Sequence, residues 1–310
     1  MYIGIDLGGT KTAGGLVDDN GAILKEVSYP TPSYDTTAIT DNIVRICREL
    51  SQGNEVTAIG IAAAGIVNPK TGIIVKAANL HMYNLPITSI ISEATGIPSY
   101  IGNDANIAAY GEYKTNWAKY SSFILVTLGT GIGGGIIANN EIVSGTDNCA
   151  GEMGHIVVET NGRRCPCGRK GCWEQYASAT ALCRDAVVAT SAYPDSILAK
   201  LYFENNHEMN GKIFFEALNA GCMAAEDVFK DFCHHVSEGI IDIINIFDPP
   251  VIAIGGGISR TGETLLAPIR ELVKKNAIAK HTIITEATLH NEAGIIGAAL
   301  FAKEEQKKLN

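Results

Sequence analysis

The sequence of 310 residues has no apolar stretch long enough to cross a membrane. Its best candidate, residues 239–247, is short and carries Asp242. The first residues also lack the charged, apolar and small segments of a signal peptide, because Met1 leads directly into an apolar strand-like run. We therefore expect a cytoplasmic protein that does not contact membranes.

An excess of positive charge is absent too. The chain has 24 Lys and Arg against 33 Asp and Glu, which gives a net charge of −9. Binding to nucleic acid needs clustered Lys and Arg to neutralise phosphates, so we expect no nucleic-acid partner. The eight cysteines indicate reduced thiols in the absence of a secretory signal. The length allows two globular domains.

Three of the cysteines lie in residues 151–174, which read GEMGHIVVETNGRRCPCGRKGCWE and have too little apolar content to fold by packing alone. Cys165, Cys167 and Cys172 follow His155 with the spacing C-x-C-x4-C. The neighbouring glycines and proline favour tight turns around a ligand. The segment therefore predicts a tetrahedral Cys3His zinc site, structural because four protein ligands leave no position for water. The alternative is three buried or reactive thiols.

Two parts of the chain repeat the order strand, glycine loop, strand, turn, strand. One covers residues 3–27, with the glycine loop after residue 7 and Asn20-Gly21 as a hairpin turn; the other covers residues 122–143. We interpret this as an internal duplication of two α/β halves. Periodicity elsewhere predicts helices over 36–50, 85–95, 105–113, 228–246, 262–275 and 294–303, and strands over 56–64, 98–101, 251–254 and 282–286.

The glycine loops favour polyphosphate binding. Residues 129–134 fit G-x-G-x-x-G, but a strand and not a helix follows, which excludes a Rossmann dinucleotide site. Two glycine hairpins, with residues 255–257 after a further strand, would let backbone N–H groups approach phosphate oxygens. Side chains that would add donors are Thr10, Lys11, Thr12 and Thr130. The alternative is tight turns that need glycine for their geometry alone.

Two aspartates lie at strand ends. Asp6 interrupts an apolar strand, and because a buried lone carboxylate is costly we expect a magnesium–phosphate partner; the alternative is an aspartate directed to the surface. Asp104, between a strand and a helix, is suited to take a proton from an attacking hydroxyl, the alternative being a helix N-cap. Further side chains suited to hydrogen-bonding a polyol are Asn103, Glu152, His155 and Glu174.

Together these motifs resemble the ROK family of sugar kinases and repressors over nearly the whole chain. Residues 6–12 are similar to the first phosphate loop of the family, and residues 128–134 to the second. Residues 102–106, Gly-Asn-Asp-Ala-Asn, resemble its catalytic segment, with Asp104 as the base. Glu152-x-Gly-His155 and the cysteine segment up to Glu174 resemble its sugar-and-zinc signature.

The resemblance implies an α/β fold of the actin-like, ribonuclease-H-like ATPase type, with ATP in the cleft between two domains. We expect a small domain of residues 1–116 plus the C-terminal helix 293–310, and a large domain of residues 117–292 that contains the zinc segment. The hexose contacts implied are Gly65, Asn103, Asp104, Glu152, His155 and Glu174. The ATP and Mg²⁺ contacts implied are Asp6, Gly8, Gly9, Thr10, Lys11, Thr12, Thr130, Gly131, Gly256 and Gly257.

Within the family, CWEQYAS at residues 172–178 and GEY at residues 111–113 are most similar to bacterial glucokinases. Residues 62–65 read AAAG and depart from the G-x-P-G form frequent there, which leaves the hexose open. Family repressors carry a helix-turn-helix domain before the kinase-like part, and because Asp6 comes at once we expect none here. Family members are commonly dimeric, so we expect a homodimer or a higher homo-oligomer.

We therefore expect an ATP- and magnesium-dependent glucokinase of glycolysis that phosphorylates the sugar 6-hydroxyl. The enzymatic alternatives are a kinase of N-acetylmannosamine, of another amino sugar or of fructose. The alternative from a different class is a non-catalytic sugar sensor that retains the kinase fold.

Overall fold

The computed structural model describes residues 1–32 and 35–309. Its strands are β1 (Tyr2–Leu7), β2 (Lys11–Val17), β3 (Ile23–Pro30), β4 (Ala58–Ala63), β5 (Ile66–Asn68), β6 (Ile73–Ala77), β7 (Met82–Leu85), β8 (Ser99–Asn103), β9 (Phe123–Leu128), β10 (Ile132–Ala138), β11 (Glu141–Ile142), β12 (Val251–Gly255) and β13 (Ile283–Glu286). Its α-helices are α1 (Thr36–Ser51), α2 (Ile87–Thr95), α3 (Asp104–Glu112), α4 (Glu174–Ala177), α5 (Ala179–Ala192), α6 (Ile197–Glu204), α7 (Gly211–Asn219), α8 (Met223–Phe247), α9 (Glu263–Asn276) and α10 (Ala293–Leu309). Asn310, the last residue of the predicted C-terminal helix, lies outside the described residues.

The first sheet has the strand order β3-β2-β1-β4-β8. β1 pairs antiparallel with β2, and parallel with β4, which in turn pairs parallel with β8. A second sheet has the order β11-β10-β9-β12-β13, in which each strand takes the position of its counterpart in the first. The loop between the first two strands is three residues long in both, 8–10 and 129–131. The common strand order confirms the predicted duplication.

Contacts between Cα atoms divide the chain into two compact units. Unit 1 comprises Met1–Leu125, Gly135–Gly151 and Thr288–Asn310, and unit 2 comprises Val126–Gly134 and Glu152–Ala287. The domain limits inferred from the sequence, with boundaries after residues 116 and 292, stay a prediction. Among the described residues no helix has the length and hydropathy required to span a bilayer.

A small three-stranded sheet, β5-β6-β7, was not predicted from the sequence. Its strands are only three to five residues long. The helix predicted from Leu85 begins at Ile87, because Leu85 ends β7 and pairs with Ile74. The long helix predicted from Val228 begins earlier, at Met223.

The backbone of helix α10 lies directly against the backbone of the first sheet. A Cβ atom added to Gly4 of β1 would lie 1.9 Å from the carbonyl oxygen of Ile295, and one added to Gly60 of β4 would lie 1.8 Å from that of Ala298. Only glycine permits such an approach. The same helix meets α3, where a Cβ on Gly297 would lie 2.0 Å from the carbonyl oxygen of Ile107. Helix α10 therefore holds β1, β4 and α3 in one rigid arrangement.

Candidate active site and metal centre

The first glycine loop is braced from beneath by two threonines. The Thr31 hydroxyl donates to the carbonyl oxygen of Gly8 at 2.8 Å and lies 2.9 Å from the Thr12 hydroxyl. Thr12 is fully buried, and in this structure its hydroxyl supports the loop. Its contact with ATP stays a prediction. Gly9 and Thr10 at the loop tip are exposed, which leaves their backbone N–H groups open to a ligand.

Asp6 is half-buried near the end of β1. Burial, and then the negative charge of Asp104, raise the pKa of the Asp6 carboxyl from 3.8 to about 6, while Lys11 opposes the rise. Helix α10 begins directly against this carboxylate: a Cβ on Gly294 would lie 2.9 Å from the Asp6 Cγ atom. The aspartate is therefore not a surface group at a strand end, and two carboxylates of unit 1 share one region.

Asp104 is the first residue of α3, but it does not cap the helix. The capping side chain is that of Asn103, whose Oδ1 accepts from the Asn106 backbone N–H at 3.1 Å. The Asp104 Oδ1 accepts from the adjacent Ala105 N–H, at 2.8 Å. Burial raises the pKa of Asp104 against the opposing effect of these local hydrogen bonds. The N-cap alternative thus belongs to Asn103, and Asp104 keeps a carboxylate with raised proton affinity.

Gly65 lies beside the same residues in unit 1. The Asn103 Nδ2 donates to its carbonyl oxygen at 3.0 Å, so the amide of Asn103 links the end of β8 to the turn after β4. Gly65 has a φ of +95°, and a Cβ there would lie 2.3 Å from the carbonyl oxygen of Lys76. Glycine is therefore required at this turn on two separate grounds.

The second glycine loop contacts the cysteine segment within unit 2. The Gly129 N–H donates to the carbonyl oxygen of Gly131 at 3.0 Å, and the Ala179 N–H donates to the Gly129 carbonyl oxygen at 2.8 Å. A Cβ on Gly131 would lie 2.8 Å from the Glu174 Oε2. The absence of a side chain at Gly131 thus makes room for the carboxylate of Glu174.

The four predicted metal ligands lie together. One ligand atom each from His155, Cys165, Cys167 and Cys172 falls within 4.8 Å of all the others. The Cys167 and Cys172 sulfurs are 3.6 Å apart, as are the Cys165 sulfur and the His155 Nδ1. A zinc–sulfur bond of about 2.3 Å gives a tetrahedral edge of about 3.8 Å, and these two distances are close to it.

Glu174 borders this cluster. Its Oε1 accepts from the Cys165 thiol at 3.1 Å and lies 3.7 Å from the His155 Nδ1. His155 is 35% exposed and Glu174 is 17% exposed in their side chains, so both remain open to a ligand. Glu152, just before His155, is exposed. The three polar residues predicted to contact a sugar from unit 2 therefore lie along one short segment.

The segment is anchored to helix α8 through Trp173. This indole is fully buried, and its Nε1 donates to the carbonyl oxygen of His235 at 2.7 Å. A Cβ on Gly239 would lie 2.1 Å from the indole ring, so the ring rests on the helix backbone. On the other side of the segment the Tyr176 hydroxyl accepts from the Arg163 N–H at 2.6 Å.

A cavity of about 760 Å³ opens beside the second glycine loop in unit 2. Thr130 and Gly257, both predicted to contact ATP, line it. Gly256 does not: it has a φ of +91° and packs on the backbone of Leu128. Sequence reasoning missed the wall formed by α7, which contributes Gly211, Lys212, Phe215, Glu216 and Asn219. Their spacing marks one face of a helix, but no motif distinguishes that face from an ordinary surface.

The predicted site residues thus fall into two groups. Unit 1 holds Asp6, Gly8, Gly9, Thr10, Lys11, Thr12, Gly65, Asn103 and Asp104. Unit 2 holds Thr130, Gly131, Glu152, His155, Cys165, Cys167, Cys172, Glu174, Gly256 and Gly257. Within each group the structure brings these residues together in clusters that include the end of a glycine hairpin.

Comparisons with known proteins agree with this architecture. A model of the ROK family matches residues 2–305. A glucokinase from Streptomyces coelicolor is 38% identical over 98% of this chain and 98% of its own, and an N-acetylmannosamine kinase from Shigella boydii is 26% identical over 98% and 99%. The crystal structure of a ROK family glucokinase from Streptomyces griseus in complex with glucose and AMPPNP is 37% identical, covers 98% of this chain and 99% of that chain, and has a TM-score of 0.81. These findings confirm the predicted α/β sugar-kinase fold.

Replacing Asp6 with asparagine should stabilise the protein at neutral pH. The raised pKa means that the folded state binds this proton more tightly than the unfolded state, so ionisation of Asp6 destabilises the fold above about pH 6. Asp6→Asn should therefore increase the free energy of unfolding at pH 7.5 by up to about 3 kcal/mol. The gain should fade as the pH falls from 6 to 4, because Asp6 then becomes protonated in both states.

Urea denaturation without added magnesium at pH 7.5 and pH 4 measures this difference. Asp41→Asn, on the exposed side of α1, is the matched control and should change stability little at either pH. An Asp6→Asn protein less stable than the wild type at pH 7.5 would contradict the electrostatic account.

Proposed function

The chain belongs to the ROK family, and we propose that it is an ATP-dependent glucokinase that transfers the γ-phosphoryl group to the 6-hydroxyl of glucose. The observation that carries the proposal is the Asp104 carboxylate at the start of α3, which has a raised pKa and is not used as the helix cap. The similarity to glucokinases over nearly the full length of the chain supports the same conclusion.

We assign Asp104 the role of general base. A raised pKa brings the proton affinity of a carboxylate closer to that needed at neutral pH. In phosphoryl transfer the protein mainly positions the reactants and stabilises charge, and a positioned carboxylate accepts the proton of the attacking hydroxyl. Asn103, held by its bonds to Asn106 and Gly65, would position the sugar beside that base.

We assign the phosphates of ATP to the glycine loops. The exposed N–H groups at Gly9 and Thr10, and at Thr130, offer donors to phosphate oxygens. The fit of a magnesium ion is supported by Asp6 and Asp104, two carboxylates whose mutual repulsion a divalent cation would relieve. Asp6 would hold that ion, which when bound neutralises charge on the phosphates.

We assign the adenosine part of ATP to the cavity beside the second glycine loop. The cavity volume of about 760 Å³ is in the range of nucleotide-sized ligands. Phe215 offers an aromatic face, and Glu216 and Asn219 offer polar groups at the same wall. A Cβ added to Gly257 would meet no described atom within 4 Å, which agrees with a backbone left open to a ligand.

We assign sugar recognition in unit 2 to Glu152, His155 and Glu174, and we propose zinc as the metal of the Cys3His cluster. Because the His155 Nδ1 faces the Cys165 sulfur, the second ring nitrogen is left for a hydrogen bond to the sugar. Zinc would thereby fix the tautomer and the orientation of His155. Its role is structural, since four protein ligands close its coordination.

Glucose is favoured over N-acetylmannosamine by sequence identity, 38% to a glucokinase against 26% to an N-acetylmannosamine kinase. The AAAG sequence at residues 62–65 ends at Gly65, whose carbonyl oxygen accepts a hydrogen bond from Asn103. A preference for a different sugar would arise from this departure from the family sequence. We further propose that the protein acts in glycolysis in the cytoplasm as a homodimer or a higher homo-oligomer.

ATP turnover stimulated by sugar tests the proposed activity. A coupled assay over glucose, N-acetylmannosamine, N-acetylglucosamine, mannose and fructose should give the highest kcat/KM with glucose.

Asp104→Asn should lower kcat by about 10²–10⁴-fold, the usual contribution of a general base, while glucose still binds. Asp41→Asn serves as the control with unchanged turnover. A sugar sensor without catalysis would show no stimulated turnover, and an Asp104→Asn enzyme near wild-type kcat would refute the base assignment.

Substitution of Gly131 by alanine tests the contact with Glu174. The new Cβ would displace the end of a flexible side chain and not backbone, so the fold should persist while the carboxylate moves. Loss of one charged hydrogen bond to the sugar should raise the KM for glucose about tenfold or more. Gly129→Ala is the matched control, because its Cβ would meet only the Gly131 carbonyl oxygen, at 4.0 Å. An equal rise in the KM for ATP would instead indicate that the substitution disturbs binding of the ATP phosphates.

Metal analysis tests the zinc proposal. Protein purified without added zinc should contain about one equivalent per chain. Cys167→Ser should lower the zinc content and raise the KM for glucose more than the KM for ATP. Cys149→Ser, which removes an exposed cysteine outside the cluster, should retain the metal. A stable, reduced wild-type protein without bound metal would rule the site out.

A further inference from the structure

A second polar cavity, of about 430 Å³, lies wholly in unit 1. Its walls come from α3, from the β10–β11 hairpin with the loop after it, and from the C-terminal part of α10. Gly102 and Asn103 also line it, whereas neither Asp6 nor Asp104 does. Its volume is in the range of small-molecule sites.

The cavity lies on the side of α3 away from the candidate base. Asn106, Tyr110 and Lys114 line it and recur every four residues, which marks one stripe along α3 and the π-helical turn Tyr113–Trp117 that follows. Asp104 precedes Asn106 by two residues, or about 200° around the helix, so it points to another face. The amide of Asn103 is engaged at both ends and contributes a wall. The cavity therefore adjoins the site assigned to phosphoryl transfer at Asn103 but does not include either of its carboxylates, Asp6 and Asp104.

The charged groups of the cavity balance one another. Its lysines are Lys70, Lys114 and Lys308, and its carboxylates are Glu141, Glu304 and Glu305. Lys308 lies 2.7 Å from Glu305, and Lys114 lies 4.0 Å from Glu304. With equal numbers of opposite charges and two of the pairs in contact, the cavity does not select an anion or a cation. A neutral ligand with hydroxyl groups matches it best, because both ammonium donors and carboxylate acceptors are available.

The aromatic and amide side chains of the cavity also suit a ligand with a compact ring that carries hydroxyl groups. Tyr110 and Phe301 line the cavity and meet edge to face with a centroid distance of 5.9 Å; Tyr110 is 4% exposed, and the Lys114 Nζ lies 5.2 Å from its ring centroid. Asn106 is 7% exposed, and its Oδ1 has no hydrogen-bond partner in the described part of the chain. A buried acceptor without a partner costs free energy that a hydroxyl donor would recover.

We propose that this cavity is a second binding site for a neutral monosaccharide. The ligand would lie against the Tyr110 and Phe301 rings and exchange hydrogen bonds with Asn106 and the Lys–Glu pairs. Because Gly102 and Asn103 line the cavity, occupancy would bear on the first turn of α3. That second consequence rests on the proposed function of Asp104, whereas binding itself does not.

Equilibrium dialysis of the full-length protein with radiolabelled glucose, in the absence of ATP, tests the proposal. The wild type should bind two equivalents per chain, the weaker of which belongs to the cavity. The double variant Glu304→Gln, Glu305→Gln should weaken that second binding step at least tenfold and leave the first within twofold. Lys307→Gln, exposed on the same helix and outside the cavity, should retain both.

The remaining outcomes decide the proposal as follows. A single equivalent that the double variant retains would overturn the second site. A single equivalent that the double variant loses would support the cavity site and would instead contradict glucose as the substrate. Tighter binding of glucose 6-phosphate than of glucose at the second step would overturn the neutral-sugar assignment. Lys114→Gln, which removes one of the proposed hydrogen-bond donors from a different helix, should weaken the same step and guards against misfolding of the double variant.

Discussion

The backbone contact of α10 with β1, β4 and α3 is the constraint on which the candidate chemistry depends. Because Gly4 and Gly60 carry no side chain, the helix lies against the two strands with no intervening layer that could repack. Strand β1 carries Asp6 near its end, and α3 starts with Asp104. The relative position of the two carboxylates is thus set by rigid elements and not by flexible side chains, which is the arrangement that preorganised catalysis requires.

That arrangement is electrostatically unfavourable in the absence of a ligand. Burial and the neighbouring charge raise the proton affinity of Asp6, and burial raises that of Asp104. A structure selected for stability alone would place a neutral residue at one of these positions. Perturbed carboxylates therefore indicate a functional site, because a bound cation or a transferable proton would relieve the repulsion.

Much of this organisation could be predicted from the sequence because it is encoded locally. Glycine loops between apolar runs, the cysteine spacing and the Asn103-Asp104 pair are visible without tertiary information. Which of Asn103 and Asp104 caps the helix could not be predicted, because both residue types cap helices and only the hydrogen-bond geometry distinguishes them. Thr12 likewise fits a donor role by type, and only the structure shows that its buried hydroxyl lies 2.9 Å from that of Thr31.

Features built from distant segments could not be predicted from local patterns. The α7 wall of the cavity beside the second glycine loop forms because a helix face lies near Thr130 and Gly257. Neither the α7 segment nor the two glycine segments contain a pattern that indicates this proximity. The same holds for Gly131, a loop glycine whose lack of a side chain accommodates the Glu174 carboxylate. Since Glu174 also touches the Cys165 thiol, one side chain joins a glycine loop to the metal cluster. A displacement of the glycine loop would therefore reach the Cys3His cluster through this one side chain, and a displacement of the cluster would reach the loop.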